Sequence, residues 1–362
     1  MKVALDARKI NDFGIGTYIL SLVTAASRIR PDWQFSLIGP SAVPALADRT
    51  NVDCLPCRGR GYSPADIVAL SAAARRAPAD VFHCPHYVTP IGLDVPMVVT
   101  IHDCIHLRFP EYLPRPLGVL PRSWSARYAR TLLRRTPRVA ERLIAVSEAT
   151  RGDVIDLLAA DEVPIDVIHN GAASFWHQGA AANATRSRSI AWVGNPMPHK
   201  GLDVLLDAFT RLAADDPDLE LTLAGSDDIA SRCAGHEYGD RIRTPGFVSD
   251  EELREIYRAA TVFCMPSRYE GFGLPALEAM AAGVPVVVSD AGALPEVTGG
   301  AALLVAAGDV AGLATALGNI LADPDLASRL SAAGRQRARG LTWELCAERT
   351  CSSYVAAVGG TR

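Results

Sequence analysis

Short, β-branched runs alternate with stretches of helical periodicity from one end of this chain to the other; the alternation breaks once, near residues 173–188, and then restarts. Few architectures satisfy that pattern. Strands joined through helices lie parallel in one sheet, and helices then cover both of its faces. Strands are expected at residues 2–6, 34–38, 80–83, 97–101, 142–146 and 165–168, with helices at 17–29, 64–76, 123–135 and 148–158. After the break, strands are expected at 190–193, 219–224, 261–265, 284–288 and 302–305, with helices at 202–213, 250–259, 275–282 and 310–321. Thr342-Trp343-Glu344 opens a last helix. The expected fold class is α/β: two Rossmann-like, doubly wound parallel-sheet domains facing an interdomain cleft. Their bounds are 1–172 and 189–341, with 173–188 as linker and 342–362 crossing back to the first domain. In such sheets ligands bind beyond the carboxyl ends of the strands.

Composition narrows the function classes. The 362 residues are enough for two separate cores, and 49 % apolar with 21 % charged residues is globular usage. A net charge of −4 excludes a strongly basic nucleic-acid binder, so no nucleic-acid partner is expected. Eight cysteines are scattered; Cys54 and Cys57 form a lone Cys-x-x-Cys without the further ligands that zinc requires, so no metal site is expected. The start, Met1-Lys-Val-Ala-Leu-Asp, lacks the pattern of a secretory signal, and no run approaches the ~18 apolar residues of a spanning helix. A cytoplasmic protein is expected, at most peripheral at the inner face of a membrane.

Four segments carry candidate chemistry. The first is Asp6 to Tyr18, between strand and helix, where Gly14 and Gly16 let backbone approach a ligand closely. Its spacing is not the dinucleotide Gly-x-Gly-x-x-Gly, because position 19 is Ile, and an ordinary turn is the plainer reading. The second is His102-Asp103 at a strand's carboxyl end, suited to catalysis or to capping the strand; His83 and His86 follow another strand and would line the same cleft. The third is Gly194-Asn195-Pro-Met-Pro-His-Lys200-Gly. Lys200 is one of only three lysines and stands at an expected helix start, where the dipole disfavours a cation unless an anion binds there; a solvated lysine is the alternative.

The fourth is Pro266-Ser-Arg-Tyr-Glu270-Gly-Phe-Gly-Leu-Pro-Ala-Leu-Glu278. Two glutamates bracket a Gly-Phe-Gly turn and a proline suited to a first helical turn. The unsatisfied N–H groups of that helix start suit a phosphate, and the carboxylates suit sugar hydroxyls. A glycosidase acid/base pair needs carboxyls ~5–9.5 Å apart. Eight residues of continuous helix would span ~12 Å; with the helix beginning only near Pro275, the arrangement still suits two ends of a longer ligand better than one scissile bond.

Together these segments resemble family 4 of the retaining nucleotide-sugar glycosyltransferases, of GT-B fold, and within it the bacterial mannosyltransferase-like members of polysaccharide or lipopolysaccharide assembly. Gly14-Ile-Gly-Thr-Tyr, Asp80-Val-Phe-His-Cys-Pro-His-Tyr, His102-Asp-Cys-Ile-His, Ala145-Val-Ser-Glu, Ile168-His-Asn-Gly, Gly194-Asn-Pro-Met-Pro-His-Lys-Gly and the Glu270/Glu278 pair carry the resemblance. It implies that the second domain binds a nucleotide-sugar donor and the first a glycan or lipid-linked acceptor. Glu270 would contact donor-sugar hydroxyls and Glu278 the ribose; Gly271, Phe272, Gly273 and Leu274 would offer backbone donors; Lys200 would neutralise diphosphate. Gly16, beside Gly14, would let the first loop close over phosphate, His102 would sit against the donor sugar, and Gly246, Phe247 and Val248 would frame the base. Asn195 stands where many members carry arginine, leaving Lys200 as the cation of that loop, with Arg268, Arg8 or Lys9 as compensating candidates.

The function implied is retaining transfer of a hexose, mannose as the best match, from a nucleoside-diphosphate sugar, with no cofactor and no metal. A nucleotide-sugar epimerase of the same fold and a non-catalytic nucleotide-binding Rossmann protein are the competing classes. Residues 112–140 hold seven arginines and, beyond Tyr112, no acid, either a basic face for an anionic membrane surface or a solvated helix.

Overall fold

The computed structural model describes residues 1–59, 63–109, 122–177 and 188–360, with the side chains of helical residues 122–126 excepted. Arg115, the side chain of Arg122 and linker residues 178–187 lie outside it. The chain divides into two compact units, Met1–Asn170 with Trp343–Arg362, and Gly171–Thr342.

Unit 1 holds a parallel sheet of β1 (Lys2–Asp6), β2 (Gln34–Gly39), β3 (Val52–Pro56), β4 (Val81–Cys84), β5 (Met97–Ile101), β6 (Arg142–Ala145) and β7 (Ile165–Val167), in the order β3-β2-β1-β4-β5-β6-β7. Its helices are α1 (Phe13–Ile29), α2 (Pro64–Ala74), α3 (Ile105–Arg108), α4 (Arg122–Val139), α5 (Glu148–Leu158) and, from the far end of the chain, α13 (Trp343–Gly359). β4 and β5 are buried along their whole length, as strands of a sheet covered on both faces must be. Ser63 starts α2 with a reciprocal capping box to Asp66, and Ser147 caps α5 through the Thr150 N–H. α13 is tied in by polar contacts: the Tyr354 hydroxyl meets His83 Nδ1 at 2.6 Å, and Ser353 donates to Asp166 at 2.6 Å.

Unit 2 repeats the plan. β8 (Ser189–Gly194), β9 (Glu220–Gly225), β10 (Ile242–Gly246), β11 (Val262–Met265), β12 (Val286–Ser289) and β13 (Leu303–Val305) are ordered β10-β9-β8-β11-β12-β13. The helices are α6 (Leu202–Asp215), α7 (Asp228–Cys233), α8 (Asp250–Ala259), α9 (Leu274–Ala281), α10 (Leu294–Thr298), α11 (Val310–Ala322) and α12 (Pro324–Arg339). Trp192, Phe209, Leu221, Leu223 and Leu317 sit at the centre of its core, each worth about 1.5–3 kcal/mol on full burial.

Both sheets run outward from their first strand in one direction, then return to that strand and continue in the other. The reversal falls between β1 and β4 in unit 1 and between β8 and β11 in unit 2. At such a point the loops leaving two neighbouring strands diverge to opposite faces and open a crevice at their carboxyl ends. Three expectations need correction here. α1 begins at Phe13, so Gly14 and Gly16 belong to its first turn and not to the preceding loop. The edge strands β3 and β10 and the helices α3, α7, α10 and α12 have no counterpart among the expected elements. β10 carries Pro245, which only an edge strand tolerates, and this hides it in the sequence.

Candidate functional site

In unit 2 the two loops at the strand-order reversal are those after β8 and β11, and they hold two of the segments singled out above. The loop after β8 ends in a 3-10 turn, Pro198–Lys200, then Gly201 at φ +67°. A Cβ on Gly201 would come within 2.1 Å of the Pro266 carbonyl oxygen, so only glycine lets the two loops approach this closely. Arg268 stitches them further: its N–H donates to the His199 carbonyl at 2.7 Å and its guanidinium to the Pro198 carbonyl at 2.7 Å.

This proximity joins Lys200 to Glu270. The ammonium bridges both carboxylate oxygens, at 2.9 Å to Oε1 and 3.0 Å to Oε2, and the Ser267 hydroxyl donates to Oε1 at 2.7 Å. Glu270 is only 8 % exposed and Ser267 is fully buried. A buried carboxylate needs such donors. After Glu270 the chain passes through buried Gly271, Phe272 and Gly273 into α9 at Leu274. Ala276 and Leu277 donate to the Gly273 carbonyl, and Pro275 has no N–H. The N–H groups of Gly273 and Leu274 have no acceptor among the described residues, which leaves two donors at a helix start, where an anion is favoured.

Glu278 lies further along α9, with Oε2 3.4 Å from the Tyr257 hydroxyl, which also stands 3.3 Å from the Pro275 carbonyl. Burial pushes the Glu278 carboxyl up to about 8, and the Asp250 charge adds to the shift, while Tyr257 opposes it. The two glutamates therefore have separate partners and do not share one cage. Asn195 closes its own loop, Oδ1 accepting from the Met197 N–H at 3.4 Å. Gly246 ends β10, Val248 is half-buried, and Phe247 is 71 % exposed.

In unit 1 His102 follows β5. Its Nε2 donates to the Pro85 carbonyl at 3.1 Å, and its ring stands edge-on to Tyr18 with centroids 4.8 Å apart. Because a carbonyl only accepts, this bond selects the tautomer with hydrogen on Nε2 and a lone pair on Nδ1. Burial lowers its pKa against the opposing pull of Asp103 and the Pro85 bond, so the ring is neutral at neutral pH. His83 is not a lining residue. It is fully buried, held by Tyr354 and by Thr100 Oγ1 at 2.8 Å, with its pKa lowered by burial to about 3. Gly16 packs its helix turn onto the preceding loop, where a Cβ would meet the Ile10 carbonyl oxygen at 2.3 Å; Gly14 is exposed beside it.

The compensating cations have partners of their own. Arg268 is bidentate to Asp203, Arg8 is bidentate to Asp6, and Lys9 meets Asp12 at 3.0 Å. Sequence reading missed Ser267, Tyr257 and Asp203. Ser267 stands inside the glutamate motif, three residues before Glu270, and that spacing was the available signal; Tyr257 and Asp203 gave none. Among the described residues, no three or more His, Cys, Asp and Glu side chains gather into a metal-binding group, and no helix is long and apolar enough to cross a membrane.

Comparison with known proteins shows the family and the fold. The model for glycosyl transferases group 1 matches residues 178–337, and that for glycosyltransferase family 4 matches residues 14–173. The chain is 32 % identical over 277 residues to a glycogen synthase of Mycobacterium tuberculosis, covering 74 % of this chain but 65 % of that protein, so it spans somewhat less than two thirds of that relative. It is 33 % identical over 308 residues to the MMP alpha-(1->4)-mannosyltransferase of Mycolicibacterium hassiacum, covering 79 % of this chain and 72 % of the other. The fold matches that of Anabaena HepE, solved in complex with UDP-glucose, with a TM-score of 0.71 and 18 % identity over 98 % of this chain and all of the other. With both halves matched by family models and a relative above 30 % identity covered over most of its length, the chain belongs to the group 1, family 4 glycosyltransferases, built on the GT-B fold.

Proposed function

We propose that this protein transfers a hexose, mannose by preference, from a nucleoside-diphosphate sugar to a glycan or lipid-linked acceptor with retention of anomeric configuration. The observation that carries the reading is the reversal point of unit 2: a held carboxylate, Glu270, next to the two open amides of Gly273 and Leu274. A sugar hydroxyl suits the first, and the phosphate oxygens of a leaving diphosphate suit the second. Lys200 is the cation that would share itself between Glu270 and phosphate. Glu278 would take the ribose, Gly246, Phe247 and Val248 would frame the base, and Asn195 would lie on the phosphate side of its loop. In unit 1, His102 with Nδ1 bare would accept a hydrogen bond from the sugar, and Gly14 and Gly16 would present the start of α1 to phosphate.

Departure of the nucleoside diphosphate puts negative charge on phosphate oxygens and oxocarbenium character on the sugar. Amides and a lysine already in place stabilise that charge without reorganisation. In this reading the acceptor attacks from the leaving-group side and the departing phosphate takes its proton. The HepE complex supports a sugar-nucleotide donor; the mannosyltransferases among the relatives support mannose.

The test is a thermal-shift panel of GDP, UDP, ADP and their sugars, followed by NMR of the product. The expected outcome is a raised melting point with one nucleotide family, transfer that survives a chelator, and an α-linked product from an α-linked donor. Conversion of donor to a new sugar without acceptor would make the protein an epimerase, and a β-linked product would overturn retention. α4 supports a peripheral membrane role: Arg127, Arg130, Arg134 and Arg138 are exposed along one face, and none forms an ion pair with a described residue. Flotation with anionic vesicles but not with neutral ones is the expected result.

A further inference from the structure

The Glu270 carboxylate can be accounted for lone pair by lone pair. A carboxylate offers about four acceptor sites, two on each oxygen. Oε1 receives the Lys200 ammonium at 2.9 Å and the Ser267 hydroxyl at 2.7 Å, which fills it. Oε2 receives only Lys200, at 3.0 Å, and keeps one site open among the described residues. Ser267 is itself fixed. It is fully buried two residues beyond the end of β11, and its carbonyl accepts the hydroxyl of Ser289, the last residue of the adjacent β12. The Glu270 backbone is held independently, its carbonyl accepting from the Ala293 N–H at 3.0 Å.

We infer that Ser267 is a positioning residue that sets the rotation of the Glu270 carboxylate, so that Oε2 alone faces the donor sugar and stays aimed when Lys200 is drawn toward phosphate. The inference rests on the donor-site reading above. Lys200 is a mobile point charge on a flexible stem and is the natural partner of an arriving diphosphate. If it alone held Glu270, the carboxylate would lose its orientation at the moment the sugar must be recognised. Ser267 sits in the loop two residues past a strand end, is stapled there by Ser289, and reaches Oε1 from the loop that also carries Glu270. It therefore survives that exchange. The proposed role concerns recognition of the sugar and leaves the nucleotide untouched.

The experiment compares wild type, Ser267→Ala, Glu270→Ala and the double variant by calorimetry. The probes are the free nucleoside diphosphate and the nucleotide sugar that give the largest thermal shifts with wild type. For Ser267→Ala, affinity for the nucleoside diphosphate should stay within twofold, while affinity for the nucleotide sugar falls about five- to tenfold. In the Glu270→Ala background the same serine substitution should add less than twofold, because its partner is gone. Ser267→Thr, which keeps the hydroxyl, should recover most of the sugar affinity. Equal loss for both probes, an undiminished effect without Glu270, or no effect at all would overturn the role of Ser267 while leaving the donor site standing. Failure of wild type to bind any nucleotide or nucleotide sugar would overturn the donor-site reading and this inference with it.

Discussion

The two units are wound alike and equipped differently. Each places the loops of its first and fourth strands at a reversal of strand order. In unit 1 the charged groups there are paired within the protein: Arg8 is bidentate to Asp6 and donates to the Asp66 carbonyl, His83 is sealed into the core, and His86 is buried. In unit 2 it holds an ion pair with one carboxylate lone pair to spare and two amides without acceptors. Shared topology supplies a place for ligands, but the residues at the reversal decide whether its charges are spent on internal salt bridges or keep capacity for a ligand.

The difference predicts unequal responses to mutation. Glu270→Ala should have the largest effect, a loss of kcat/KM of roughly 10³-fold or more with circular dichroism unchanged. Lys200→Ala should cost about 10²-fold in rate and, because it strands a nearly buried carboxylate, ~2–4 kcal/mol of stability in denaturant titration. Transfer at the wild-type rate in either variant would erase the contrast between the units. The two glycines come next. Gly201→Ala combines a positive φ with a 2.1 Å contact to backbone and should cost about 3 kcal/mol or more, together with the Lys200–Glu270 geometry. Gly16→Ala carries only the steric part and should cost about 1–3 kcal/mol, confined to unit 1.

The units should also differ in pH response, with opposite signs. Burial lowers the pKa of His83, His86, His102 and His106 in unit 1. A group that resists protonation when folded contributes stability that is whole above its unfolded pKa of ~6.5 and is lost as pH falls below it. Glu278 in unit 2 is raised to about 8. Its folded form holds a proton that the unfolded form releases near pH ~4.5, so stability declines from there up to about pH 8 and then levels off. Hydrogen exchange followed by mass spectrometry should show unit 1 opening more readily at pH 5 and unit 2 more readily at pH 8.5, and Glu278→Gln should flatten the second trend. The smallest effect expected is that of Tyr257→Phe, about 1 kcal/mol, since both of its contacts are long.

The fold was legible because short, β-branched runs such as Met97–Ile101 and Val286–Ser289, bounded by turn residues, read as strands buried on both faces. Two of the four edge strands, β7 and β13, were legible; the other two, β3 and β10, were not. Val52–Pro56 and Ile242–Gly246 each have a solvent side and carry the polar and proline residues that strand patterns exclude. At the candidate site, the motif 266–278 and Lys200 were visible as separate features. Their pairing was not, because it depends on the strand order, which places the loop after β8 next to the loop after β11 across 70 residues of sequence. The same limit applies to Arg268, which reads as a spare cation until Asp203 is seen beside it.

The most direct test is a crystal structure of the chain with the nucleotide sugar that stabilises it most. The account predicts the sugar within hydrogen-bonding distance of Glu270 Oε2, the diphosphate on the amides of Gly273 and Leu274, and Lys200 turned toward phosphate. A donor bound elsewhere, with the Lys200–Glu270 pair undisturbed, would contradict it.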